Sequence, residues 1–168
     1  MFIPSTNCFL QFLVIKGGYM ISRILVPTDG SKTSQKAAVY AVNLAKQLKV
    51  SIIVLSVIDK RMFMAQAVPA AKAPRHNPET FEDYLTEAAR EYVGEIKKLC
   101  DKHGVSCRIS IKMGYPVEEI TKEAKRLKAN LIVMGSRGRS AFSATMLGSV
   151  SYGVLHNEKS IPVLIVHE

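Results

Sequence analysis

The chain has 168 residues, of which 48% are apolar and 22% charged. That length suits one domain with a full core, and the balance is that of a globular protein. No apolar run approaches the ~20 residues of a membrane-spanning helix, and the formal charge of +9 is scattered without interleaved aromatic residues, so neither a membrane nor nucleic acid is the expected partner.

Residues 1–19, MFIPSTNCFLQFLVIKGGY, carry their one basic residue, Lys16, after the apolar stretch and lack a small-residue cleavage site. They make a poor secretory signal. They read as an N-terminal extension, disordered or not translated, with Met20 as the candidate start of a domain over 20–168. Ile24-Leu25-Val26 predicts a short buried strand. Ala37, Ala38, Ala41, Leu44, Ala45 and Leu48 recur at helical spacing and predict the first helix. Ile52 to Val57 is a continuous apolar run, as a parallel strand covered on both faces requires. Residues 60–80 hold three prolines and little periodicity, and read as a long variable loop.

Phe81, Tyr84, Leu85, Ala88, Tyr92, Ile96 and Leu99 predict a second, longer helix. Residues 105–112, VSCRISIK, alternate apolar and polar like a half-exposed strand. Pro116 suits the first position of a third helix, with Glu118 and Glu119 in its opening turn. Val117, Ile120, Ala124 and Leu127 form that helix's apolar face, and Lys125, Arg126 and Lys128 close it. Leu131 to Met134 predicts a fourth strand, 149–157 a fourth helix and PVLIV, 162–166, a fifth strand. Cys8, Cys100 and Cys107 are odd in number and form no C-x-x-C pair. They fit a reducing, cytoplasmic setting, with Cys100 and Cys107 as small core residues.

Strands alternating with helices imply an α/β protein with a parallel sheet. Right-handed crossovers that cover both faces require the winding to reverse once. The simplest result is an open, doubly wound, five-stranded, Rossmann-like sheet in the order 3-2-1-4-5. Ligands of such sheets bind at the carboxyl ends of the strands flanking the reversal, here strands 1 and 4. Strand 1 runs into Pro27-Thr28-Asp29-Gly30-Ser31, and strand 4 runs into MGSRGRSAFSATMLGSVS, 134–151.

Both ends suit a phosphate. Gly135 and Gly138 admit close backbone approach, and their N–H groups can nest an anion. Gly148 precedes Ser149, Val150 and Ser151 at a helix start, which offers unpaired N–H groups and a positive dipole. Arg137 and Arg139 add charge. Asp29 is placed to hold ribose hydroxyls or a magnesium ion. A tight turn followed by a capped helix is the alternative reading of the same residues.

Gly135-x-x-Gly138, nine residues, then Gly148-Ser149 resembles the signature of the universal stress protein family. ILVPTDGS, LSVID (55–59), MGYPVEEI (113–120) and PVLIVHE match that family in kind and order. The resemblance covers about 20 to 168 and implies an adenine nucleotide α-hydrolase-like fold. Members with this signature are of the ATP-binding type, with Mg or Mn accompanying the nucleotide. Gly135, Gly138, Gly148, Ser149 and Val150 would then line the triphosphate, with a hydroxyl from Ser151. Asp29 would lie near the ribose and the metal-bridged phosphates. Pro27, Thr28, Val57 and Met134 would enclose adenine and ribose, although core packing and a strand end also explain Val57, Met134 and Pro27. Similar proteins dimerise through the last strand, which implies a homodimer through 162–166. The alternative is an edge covered by 1–19 or 60–78.

Catalysis is less well signposted. No G-x-x-x-x-G-K-[ST] loop is present, His76, His103, His156 and His167 are scattered, and no metal-ligand spacing occurs. Asp29 alone could orient a water, which predicts slow hydrolysis at best. The sequence therefore reads as a nucleotide-responsive stress or signalling module. Two other classes remain open at this point. One is a nucleotide hydrolase, nucleotidyl-transfer enzyme or flavin carrier that draws on Lys72, Arg75 and His76. The other is a nucleic-acid binder whose affinity falls steeply with salt.

Overall fold

Five parallel strands form one sheet in the order β3-β2-β1-β4-β5, the order expected from the winding argument. The computed structural model describes residues 20–61, 81–139 and 147–167. The extension 1–19, nearly all of the 60–80 loop and the middle of the 134–151 stretch lie outside the described residues. In chain order the elements are β1 (Arg23–Thr28), α1 (Lys32–Leu48), β2 (Ser51–Asp59), α2 (Phe81–Lys102), β3 (Cys107–Gly114), α3 (Pro116–Arg126), β4 (Leu131–Gly135), α4 (Ser149–Asn157) and β5 (Val163–Val166).

The continuous apolar runs of the central strands feed two cores, because successive side chains point to opposite faces. Ile24, Val26, Ile52, Val54, Leu131 and Val133 pack with α1 and α2 on one face. Leu25, Ile53, Leu55, Ile132 and Met134 pack with α3 and α4 on the other. Each fully buried Ile or Leu contributes about 1.5–3 kcal/mol relative to exposure. β3, at one edge of the sheet, departs from its alternating sequence: Cys107 and Ile111 pack against the first core, but Ile109 between them is exposed.

The second helix corrects the sequence reading by about one position. Its buried line is Ala89, Val93, Ile96 and Cys100, whereas Tyr84 is exposed and Tyr92 is half-buried. The aromatic residues set the expected stripe, but the smaller side chains face the sheet. Tyr92 is turned instead toward the carboxyl ends of the strands.

Candidate functional site

The switch between β1 and β4 is where the sheet opens. β1 stays in register with β2 as far as Thr28↔Ser56, but its pairing with β4 ends at Leu25↔Ile132. Asn130 donates its backbone N–H to Arg23 C=O, so Arg23, Leu25 and Pro27 present their backbone groups to β4. Pro27 has no N–H to offer there, and the two strands part. Sequence reading placed Pro27 at the strand end. It lies one residue inside β1, buried, and its ring marks where the cleft begins.

The opening of α1 fills one wall of that cleft. Ser31 caps the helix, its hydroxyl accepting from Ser34 N at 3.2 Å. Thr33 donates its hydroxyl to Arg137 C=O, which ties the helix start to the loop after β4. The cleft so formed has a volume of about 430 Å³ and is lined by Gly30, Ser31, Lys32, Thr33, Arg137, Gly138 and Arg139. A second hollow of about 370 Å³ lies at the amino ends of β2 and β3, away from both motifs.

Asp29 joins the two strand ends. Its Oδ1 accepts from Ser31 N at 3.0 Å and its Oδ2 from Arg139 N at 3.1 Å. Gly30 follows at φ +77, a left-handed conformation that favours glycine, and the Tyr92 ring occupies the space where its Cβ would stand. Arg139 donates from Nη1 to Tyr92 Oη at 3.2 Å and holds its guanidinium 5.9 Å from the ring centroid. Such a contact adds about 0.5–1 kcal/mol at an exposed site.

The three signature glycines are close approaches of the protein to itself. A Cβ on Gly135 would stand 2.7 Å from Thr33 C, so the absent side chain lets α1 abut the end of β4. On Gly138 it would meet Asp29 Oδ2 at 2.8 Å, and on Gly148 Arg137 Cα at 3.2 Å. Gly148 N donates to Ser136 C=O at 2.8 Å, which seats the start of α4 on the same turn. The glycines thus draw two helix starts and a strand end onto one spot.

The remaining expected site residues fall into two groups. Ser149 is exposed at the first turn of α4, whose N-cap, Gly148, contributes no side-chain bond. Ser151 is buried and donates its hydroxyl to Gly135 C=O at 2.8 Å, so it fastens helix to strand. Thr28 is also buried, its hydroxyl 3.2 Å from that of Ser34. Met134 is 4% exposed and belongs to the second core, against which Val57 and Val150 pack while partly exposed. Lys32, Thr33 and Tyr92 were missed by sequence reading. Lys32 and Thr33 had a signal: α1 and α4 carry no acidic residue in their first turns, whereas α2 has Glu82 and Asp83 and α3 has Glu118 and Glu119. The start of α4 thus keeps its positive end for another anion, while at α1 the Asp29 carboxylate already sits on the N–H of the N-cap, Ser31.

Phosphate fits this cleft: one side is a helix N-terminus, the other a glycine-rich turn, and Lys32, Arg137 and Arg139 are the charged residues that line it. A metal cluster does not arise, since no group of three or more His, Cys, Asp or Glu among the described residues could hold an ion. Asp29, bonded to Ser31 N and Arg139 N, is the carboxylate beside the cleft. At the end of β2, burial pushes the Asp59 carboxyl up, but the hydrogen bonds and charge of Arg61 outweigh it and hold the group below its ordinary value. No described helix is long and apolar enough to cross a membrane.

These features define a doubly wound α/β protein with a basic, glycine-lined cleft at its switch point. The universal stress protein family matches residues 20–167, and the chain belongs to that family. Universal stress protein MJ0531 of Methanocaldococcus jannaschii is 32% identical over 157 residues, which cover 94% of this chain and 88% of that protein. MJ0577 of the same organism is 32% identical over 156 residues, covering 88% and 95%. Its solved structure gives a TM-score of 0.69 at 30% identity and covers 89% of this chain and 98% of that one. A universal stress protein of Archaeoglobus fulgidus, solved in complex with dAMP, shares the fold with a TM-score of 0.60 at 19% identity, covering 88% and 99%.

Proposed function

We propose that the chain is an ATP-binding universal stress protein. MgATP, or its manganese form, occupies the cleft between β1 and β4. The triphosphate lies against the starts of α1 and α4 and the Gly135–Arg139 turn. The observation that carries this reading is the convergence of two helix starts free of acidic residues on one glycine-lined cleft with three cationic side chains. The complex of a protein of this fold with dAMP supports an adenine nucleotide as occupant.

The reading assigns Lys32, Arg137 and Arg139 to phosphate charge and Asp29 to the ribose or the metal. Hydrolysis is slow or absent. Asp29 already accepts two backbone N–H groups, and no second carboxylate or histidine among the cleft-lining residues stands ready to take a proton from water. Nucleotide occupancy fills the cleft and so alters the surface offered to a partner. The protein acts as a cytoplasmic homodimer paired through β5. Pro162 C=O accepts from Ile132 N in β4 and Val166 C=O from Ser136 N just after it, so Val163 and Ile165 turn their backbone groups to the open edge. The test is equilibrium titration with MgATP. Saturable binding without matching phosphate release supports the binding module. Rapid multiple turnover would favour a nucleotide hydrolase or nucleotidyl-transfer enzyme on the same fold.

A further inference from the structure

At the end of the sheet opposite the cleft, two cysteines come together. Cys100 lies in the last turns of α2 and Cys107 opens β3, with 103–106 between the two elements. Cys100 C=O closes the connection, accepting from Val105 N at 2.9 Å and His103 N at 3.1 Å. Cys100 is fully buried in the first core, and Cys107, half-buried, packs against the same cluster. Both cysteines thus share one packed cluster, with Cys107 Sγ 4.0 Å from Arg108 C=O. The interaction with Cys100, aided by the Lys97 ammonium and opposed by burial and Asp101, holds Cys107 below the ordinary thiol value. The same interaction and burial push Cys100 up. One sulfur is therefore exposed enough to meet a solute and inclined to ionise, while the other is protected in the same cluster.

We propose that Cys100 and Cys107 form a redox site, a dithiol that a peroxide-class oxidant converts to an intrachain disulfide. Cys107 sulfur attacks the peroxide; an S–O bond forms, the O–O bond breaks, and the first water leaves with the Cys107 proton. The sulfur is oxidised by two electrons to a sulfenic acid as the peroxide is reduced. Cys100 sulfur then attacks that sulfur; the S–S bond forms, the S–O bond breaks, and the second water leaves with the Cys100 proton. Two thiols and one hydrogen peroxide give one disulfide and two waters. The bond pins the end of α2 to β3. Eight residues earlier, about 12 Å along the same helix, Tyr92 packs on Gly30 at the rim of the cleft. The site stands on its own geometry and does not depend on what the cleft binds.

The experiment uses the full chain carrying Cys8→Ser, so that these two thiols alone remain. The reduced protein is exposed to hydrogen peroxide, then alkylated and mapped by mass spectrometry without reductant. The expected result is loss of both alkylation sites and a Cys100–Cys107 linked peptide lighter by two hydrogens, restored by dithiothreitol. In Cys100→Ser, Cys107 should accumulate a sulfenic acid that dimedone traps. Two thiols still alkylatable after peroxide, Cys107 driven to sulfinic acid beside an intact Cys100, or disulfides between chains would each overturn the proposal.

Discussion

The Asp29 carboxylate accepts the Arg139 backbone N–H at 3.1 Å, across 110 residues of sequence, and it fits there because Gly138 has no side chain. With its other oxygen on Ser31 N, one residue holds the end of β1, the start of α1 and the turn after β4 in fixed relation. These are the walls of the cleft, so Asp29 shapes the site before any ligand arrives.

Asp29→Ala should therefore lower stability as well as ligand affinity. It removes the acceptor from two backbone donors, each bond worth about 0.5–1.5 kcal/mol. The expected loss is about 1–2 kcal/mol, read as a lower urea midpoint at an unchanged slope. An unchanged midpoint would mean that the carboxylate does not tie the loops together in solution.

Two glycines should respond in opposite directions to the same change. In Gly135→Ala the new Cβ meets the α1 backbone, with Thr33 C at 2.7 Å and Ser34 N at 2.9 Å. Backbone cannot rotate away as a side chain can, and a cost of about 2 kcal/mol or more is expected. In Gly94→Ala nothing lies within 4 Å and the residue sits inside α2, so the variant should gain about 0.5–1 kcal/mol from helix propensity. Thermal melts of the two variants test the pair. Equal shifts would show that α1 does not abut β4 as described.

Glu123 sets an acid limit on stability. It is buried in α3, where Arg126 donates to both its oxygens at 2.7 Å and Ser110 Oγ donates to one at 2.7 Å. The Arg126 bonds, outweighing burial and aided by Ser110, lower its pKa from 4.5 to about 2. A depressed carboxyl stabilises the fold fully above its unfolded value and loses that contribution as pH falls toward the folded one. The stability advantage of the parent over Glu123→Gln should thus be constant above about pH 5 and shrink between pH 4.5 and 2. Chemical denaturation across that range measures it; a pH-independent difference would contradict the assignment.

The open edge of β5 gives a test of the homodimer that spares the fold. Ile165 turns its N–H away from β4, so Ile165→Pro removes an outward donor and leaves the β4 pairing intact. The variant should sediment as a folded monomer where the parent sediments as a dimer. A variant that remains dimeric would place the interface elsewhere.

Much of this could be seen before the structure, for reasons that are local or topological. The apolar runs at 24–26, 52–57 and 131–134 are strands because both faces of a parallel sheet must be filled. The strand order follows from handed crossovers and the need to cover both faces. Gly135, Gly138 and Gly148 announced themselves by spacing. Their physical task did not, because it depends on Thr33, Asp29 and Arg137 arriving from elsewhere. Tyr92 reads as one more member of a helical stripe until Gly30 is found beneath its ring. Glu123 looks like a surface charge because its partner on β3, Ser110, is brought alongside by the fold. The bond from the Ser151 hydroxyl to Gly135 C=O is a contact between helix and strand that spacing does not reveal.

Calorimetric titration of the full chain with MgATP, beside Gly148→Asp, tests the central claim most directly. Gly148 is the N-cap of α4 at φ −64, a conformation open to aspartate, which caps a helix itself, although the new Cβ presses on Arg137 Cα at 3.2 Å and the turn must give by a few tenths of an ångström. The new carboxylate would then occupy the N–H groups assigned to phosphate and place a negative charge in their midst. The parent should bind saturably and the variant not at all, with both folded by circular dichroism. A parent that releases no heat and shows no saturation, or a folded variant that binds as well as the parent, would contradict it.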